Sequence, residues 1–149
     1  MRRWWLILLF NWPLCGVVAE PLQGDSAGAG SSGYVFDITV ENATQMEAIF
    51  DRAEHLMGQY NPAQHGRIAL VLHGRELELF RKDNYANNMS LVERARALDR
   101  HQLVDIKACQ SVMNSLDIGH SELPEFIEQV PLAPVEIQRL QLQQGFIRL

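Results

Sequence analysis

Ile68-Ala69-Leu70-Val71-Leu72 is an unbroken apolar run closed by His73-Gly74. A strand with one wet face alternates apolar and polar residues. A short uninterrupted run fits a central parallel strand covered on both faces. Parallel neighbours are joined by crossovers, usually helices, so this one segment asks the rest of the chain for helices between strands.

The flanking segments supply them. Tyr34 to Val40 is rich in β-branched and aromatic residues and reads as a first strand. Met46, Ile49, Phe50, Ala53, Leu56 and Met57 then share one helical face, with Thr44 and Glu47 spaced as a capping box. Pro62 and Gly66 mark the turn into the apolar run, and Leu77 to Phe80 is open between a short strand and a helical turn. Ser90 and Glu93 form a second candidate capping box ahead of Leu91, Val92, Ala95 and Leu98. Asn84, Tyr85, Asn87 and Asn88, before that helix, read as a polar connection or a pocket border. Leu103 to Ala108 is the next strand, followed by a short helix from Gln110 to Leu116. Ser121 caps a turn, Val130-Pro131 begins another extended piece, and Pro134 fits the first turn of a last helix ended by Gly145. Phe146 to Leu149 closes the chain as a strand. This alternation predicts a three-layer α/β domain with a mostly parallel sheet flanked by helices.

Residues 1–19 read as a signal peptide: Arg2 and Arg3 precede the apolar Trp4 to Phe10, and Val17-Val18-Ala19 offers a small-residue cleavage site. The apolar stretch is short for a bilayer-spanning helix, so the expected location is periplasmic or otherwise exported, with membrane contact only during export. Residues 20–33, carrying Pro21, Gly24, Gly28 and Gly30 among small polar residues, read as a flexible linker, leaving residues 34–149 as one domain. Cleavage takes Arg2 and Arg3 from the 13 basic residues and none of the 18 acidic ones, giving a formal charge of −7. That charge argues against a nucleic-acid partner. It also removes Cys15 and leaves Cys109 as the lone thiol, so no internal disulfide can form. A lone cysteine in an oxidising compartment is buried, paired with another molecule, or functional.

Cys109 ends the strand-like run and precedes a helix, at the carboxyl edge where open α/β sheets place reactive groups. There a thiolate gains from backbone N–H groups. On the same strand face Lys107 would add positive potential and Asp105 would oppose it. The competing reading is an inert core cysteine. His73, at the end of the apolar run, and His120, in the loop after Gly119, are candidate supporting groups near neutral pH; each is equally readable as ordinary polar padding. His73, Cys109 and His120 lack the spacing of a compact zinc motif. With no dinucleotide fingerprint or phosphate loop either, no metal or cofactor is expected.

Ile68 to Gly74, Ile106-Lys107-Ala108-Cys109, and Val130-Pro131 with the helix leading to Gln143-Gln144-Gly145-Phe146 resemble the DsrE/DsrF-like family over essentially residues 34–149. The resemblance implies a small α/β sulfur-relay fold, assembled as a homotrimer or homohexamer, in which Cys109 carries persulfide sulfur between a donor and an acceptor, a small thiol or a protein. The export signal departs from the cytoplasmic members and speaks against transfer-RNA modification. Two expectations therefore stand: sulfane-sulfur binding or transfer through Cys109, and a noncatalytic oligomeric or partner-binding module with a structural cysteine. A solvent-open Cys109 beside backbone donors favours the first, and a thiol sealed in an apolar core favours the second.

Overall fold

The computed structural model describes residues 33–59, 67–102 and 104–149. The segments expected as leader and, but for Gly33, as linker, the Pro62 to Gly66 turn with His65, and Leu103 lie outside the described residues. Five strands alternate with four helices: β1 (Gly33–Ile38), α1 (Ala43–Gln59), β2 (Arg67–Leu72), α2 (Tyr85–Arg100), β3 (Val104–Cys109), α3 (Gln110–Ser115), β4 (Glu128–Val130), α4 (Ala133–Gln144) and β5 (Phe146–Arg148). The sheet is all parallel in the order β4-β3-β2-β1-β5. Leu72 aligns with Ile38 on one side and Ala108 on the other, so His73, Thr39 and Cys109 all emerge at one carboxyl edge. No described helix is long and apolar enough to cross a membrane.

The apolar run is central because both of its faces are used. Ile68, Leu70 and Leu72 join Phe36, Ile38, Val104 and Ile106 under Met46, Phe50 and Ala53 of α1 and Leu91, Val92, Ala95 and Leu98 of α2. Ala69 and Val71 turn the other way and meet Ala133, Ile137 and Leu140 of α4. Two helical layers thus enclose the sheet; α4 supplies the buried helical residues of the second core cluster, with the half-buried Val112 of α3 packed against it. Arg94 of α2 ties the first layer together by ion pairs to Glu47, Asp51 and Glu54 of α1.

Helix starts differ from the sequence expectation. The α1 cap is Asn42, whose Oδ1 accepts the Gln45 N–H at 3.0 Å, while Gln45 Oε1 reaches back to the Glu41 N–H at 2.8 Å. The exchange expected of Thr44 and Glu47 is made two residues earlier, and Glu47 instead meets Arg94. The second helix, Tyr85–Arg100, is two helical stretches joined across a kink at the non-helical Asn88 (φ −123°, ψ 23°), so a short helical turn from Tyr85 precedes the amphipathic helix expected around Ser90. Asn88 Nδ2 donates to the Asn84 carbonyl at 3.2 Å, which helps the polar segment continue into helix across that kink. Leu77 to Phe80 belongs to a 3-10 turn, residues 75–80, with Leu77 and Phe80 buried in the core. Gly145 ends α4 at φ 68°, a left-handed conformation that glycine adopts without Cβ strain.

Candidate functional site

Cys109 is the last residue of β3 and the N-cap of α3. Alternation along β3 turns it to the α4 face, where it is 2% exposed and clustered with Val35, Ala69, Val71, Ala133, Ile137 and Leu140. Its sulfur takes a hydrogen bond from the Ala133 N–H at 3.4 Å. Ala133 opens α4, and the first amides of a helix have no intrahelical acceptor, so the thiol satisfies one of them. The donor is therefore the amino end of the twelve-residue α4 rather than the short α3 that follows Cys109 in sequence.

The charged neighbours on β3 are engaged elsewhere. Lys107 is buried between Glu128 and Glu136, with 3.2 Å from its Nζ to Glu136 Oε1. Asp105 pairs with Arg67 at 2.5 Å. Glu136 also receives Arg139 at 2.7 and 2.8 Å. The Arg139 guanidinium, with the Lys107 ammonium behind it, holds the Glu136 carboxyl below the ordinary range against the opposing effect of burial. Lys107 is thus the centre of an ion network rather than a free positive potential beside the sulfur.

His73 stands at the same edge in a different group. Its Nε2 contacts Asp37 Oδ1 and lies 3.4 Å from Thr39 Oγ1, and Arg148 of β5 pairs with the second Asp37 oxygen. Asp37 and Thr39 meet the same ring nitrogen. A nucleophile-base-acid relay needs them on opposite nitrogens, so Thr39 is not poised as an activated hydroxyl. Asp37, His73 and Arg148 line a cavity of about 280 Å³ whose other wall is Pro134, Ile137, Gln138 and Gln141 of α4. Ile137 belongs both to this wall and to the cluster around Cys109.

A buried carboxylate fixes the loops of this edge. Glu76 is 0% exposed; its Oε1 accepts the Gly74 N–H at 2.7 Å and its Oε2 accepts the Val40 N–H at 3.1 Å. It clasps the end of β1 to the end of β2. Glycine suits this position, since a Cβ would lie 2.6 Å from Glu76 Oε2 and 2.9 Å from Thr39 Cγ2 and one of those side chains would have to shift.

His120 is exposed and pairs with the Gln129 side chain, whose Nε2 donates back to the His120 carbonyl at 2.8 Å. Among the described residues it has no hydrogen bond with Cys109 or His73, and it lines a separate cavity with Lys82, Ser121 and Gln129. Asp37, Arg148 and Glu76 were absent from the sequence expectation. Asp37 sits in an alternating strand where a carboxylate reads as solvated, and Arg148 reaches it only because β5 returns beside β1. Among the described residues no group of three or more His, Cys, Asp or Glu side chains is arranged to hold a metal ion.

The geometry defines a three-layer, all-parallel α/β protein with its polar groups and thiol gathered at the carboxyl edge of the sheet. Searches for a matching protein-family model and for a matching curated protein both return none. Among solved structures, the chain is similar to a protein of unknown function, MTH1491, from Methanobacterium thermoautotrophicum. The two share 20% identity over 78% of this chain and 96% of the other, with a TM-score of 0.62. That likeness is one of fold.

Proposed function

We propose that the chain is an oligomeric or partner-binding module of DsrE/DsrF-like architecture in which Cys109 is a packing residue. The observation carrying this reading is the 2% exposure of Cys109 within an apolar cluster. Thiols react as exposed or readily exposed thiolates, and a sealed one is inert until the surrounding structure opens. The surface next to that cluster supports the assembly half of the reading. Val135 and Leu142 on α4 are 59% and 76% exposed, and Ile147 on β5 is 47% exposed. A homotrimer or homohexamer, and export through the leader, complete the proposal on the strength of the sequence resemblance.

The Ala133 N–H directed at the sulfur favours a second reading, sulfane-sulfur carriage. In that chemistry the Cys109 thiolate attacks the sulfane sulfur of a persulfide or polysulfide, displaces the donor thiolate and holds Cys-S-S⁻. An acceptor thiolate then attacks the outer sulfur and releases the Cys109 thiolate, with no net oxidation. The segment from Leu132 to Pro134 would have to move to admit the donor. His73 is the nearer candidate support because it shares the Ile137 wall; His120 has no comparable link.

Intact-protein mass spectrometry after polysulfide treatment separates the two. The packing reading expects no adduct on folded protein, an adduct once the chain is denatured, and light scattering above the monomer mass. A sulfur adduct of about 32 Da formed on the folded protein, reversed by excess thiol and absent from Cys109→Ser, overturns it in favour of carriage. A monomer at all concentrations overturns the assembly half.

A further inference from the structure

A cleft of about 680 Å³ lies on the opposite face of the sheet from Cys109. Three separate elements build it: the 3-10 turns before α2, one side of α2, and the segment leading to β4. Phe80 and Val92 form an apolar floor at 1% exposure each, and Tyr85 and Phe126 are half-buried walls. The rim is cationic. Arg96 and Arg100 follow one another around α2 at helical spacing, and Lys82 faces them from the neighbouring turn.

Most of the other arginines are paired with carboxylates, although Arg52, which stacks on Phe36, and Arg75 have no ion pair among the described residues. Arg67, Arg81, Arg94, Arg139 and Arg148 each pair with a carboxylate within 2.8 Å. Arg96 has only a 3.8 Å approach to Glu93 and places its guanidinium 5.6 Å from the Phe126 ring centre. Arg100 has no ion-pair partner among the described residues. Lys82 donates to the Ser121 carbonyl at 2.6 Å and makes no ion pair among the described residues. Two acidic groups also line the cleft, Asp99 and Glu125. Burial, with Asp105 second, raises the Asp99 carboxyl above its ordinary value. Glu125 is exposed at the mouth.

We infer that this cleft is a binding site for a small aromatic or planar apolar anion, its ring between Tyr85 and Phe126 and its acidic group at Arg96 and Arg100. The volume falls in the range of small-molecule sites, and the lining has their usual make-up of apolar walls with a few convergent polar groups. Stacking of a guanidinium on Phe126 extends the platform for a second ring. A neutral apolar ligand would use the walls but leave the rim unused. The acidic surface of the mature chain makes this local cationic rim a selective feature rather than a general attraction.

The probe is 1-anilinonaphthalene-8-sulfonate, with the uncharged N-phenyl-1-naphthylamine as control, added to the full mature chain. All three tryptophans lie within residues 1–12, so the mature protein contributes little background emission. The sulfonate dye is expected to bind one per chain and saturably, and the Arg96→Gln/Arg100→Gln variant to weaken it by about tenfold or more, equivalent to 1.4 kcal/mol. The same variant should leave the neutral dye within about twofold, and Phe126→Ala should weaken both. Circular dichroism confirms that each variant is folded. Sulfonate binding that is nonsaturable, or unchanged in both variants, overturns the site. So does binding that vanishes as light scattering shows assembly, because a second copy then fills the cleft.

Discussion

Replacing Glu76 tests whether the carboxyl edge is held by a buried clasp. In the wild type two backbone N–H groups, from Gly74 at 2.7 Å and Val40 at 3.1 Å, end on one carboxylate with no exposure to water. Glu76→Gln keeps the shape and one acceptor, but turns an amide NH2 toward the other N–H. The loss is one charge-assisted hydrogen bond, about 1.5–3 kcal/mol, partly offset because a charge no longer has to be buried. A net cost of about 2 kcal/mol is expected, a fall in Tm of roughly 10 °C for a domain of this size. Glu76→Ala strands both donors and opens a cavity, and should cost about 3–5 kcal/mol. Urea unfolding at neutral pH, followed by circular dichroism, measures both. The His73 ring resonances report whether the edge shifts with the clasp. A glutamine variant within about 0.5 kcal/mol of wild type would refute the reasoning, since that is the scale of a neutral surface change.

Gly74→Ala should lose about 1–3 kcal/mol in the same assay, because the new Cβ meets Glu76 and Thr39 in a fixed loop. Cys109→Ser should cost about 1–3 kcal/mol through burial of a hydroxyl whose proton has no acceptor in the apolar cluster; a neutral effect would mean that water reaches the site. Glu136 has its carboxyl held low by Arg139 and Lys107, so it contributes stability that is complete above the ordinary glutamate range and lost as pH falls through the depressed value. Unfolding midpoints should therefore fall in the acid range more steeply for wild type than for Glu136→Gln, and parallel curves would dismiss that network as a source of acid sensitivity.

The fold was legible where one segment had a single physical solution. Ile68 to Leu72 admits no wet face, and the structure uses both. Met46, Phe50 and Ala53 fall on one stripe of α1 at helical spacing and are buried. Cap positions were less legible because several polar residues compete locally. Asn42 displaces Thr44 by offering its side chain to Gln45, and Gln45 completes the exchange. The site was the least legible part. Cys109 could be placed at a strand end, yet its burial depends on α4 arriving from 24 residues later. Asp37 and Arg148 lie 111 positions apart, and no local pattern joins them. Their meeting follows from β5 crossing to the far side of β1, a choice of strand order that hydrophobic periodicity does not encode.

The register of β5 against β1 also determines how the domain can be held. Gly33 lies opposite Phe146, so the chain enters at the amino edge of the sheet, whereas His73 and Cys109 close strands at the carboxyl edge. Six-residue strands separate these edges by roughly 20 Å. A support or fusion attached ahead of Gly33 therefore holds the domain from behind, with the thiol edge facing outward. Attachment at Leu149 is different, because its N–H bonds the Val35 carbonyl at 2.9 Å, next to exposed Ile147. A carboxyl-terminal fusion would therefore begin on the α4 and β5 side, beside exposed Ile147.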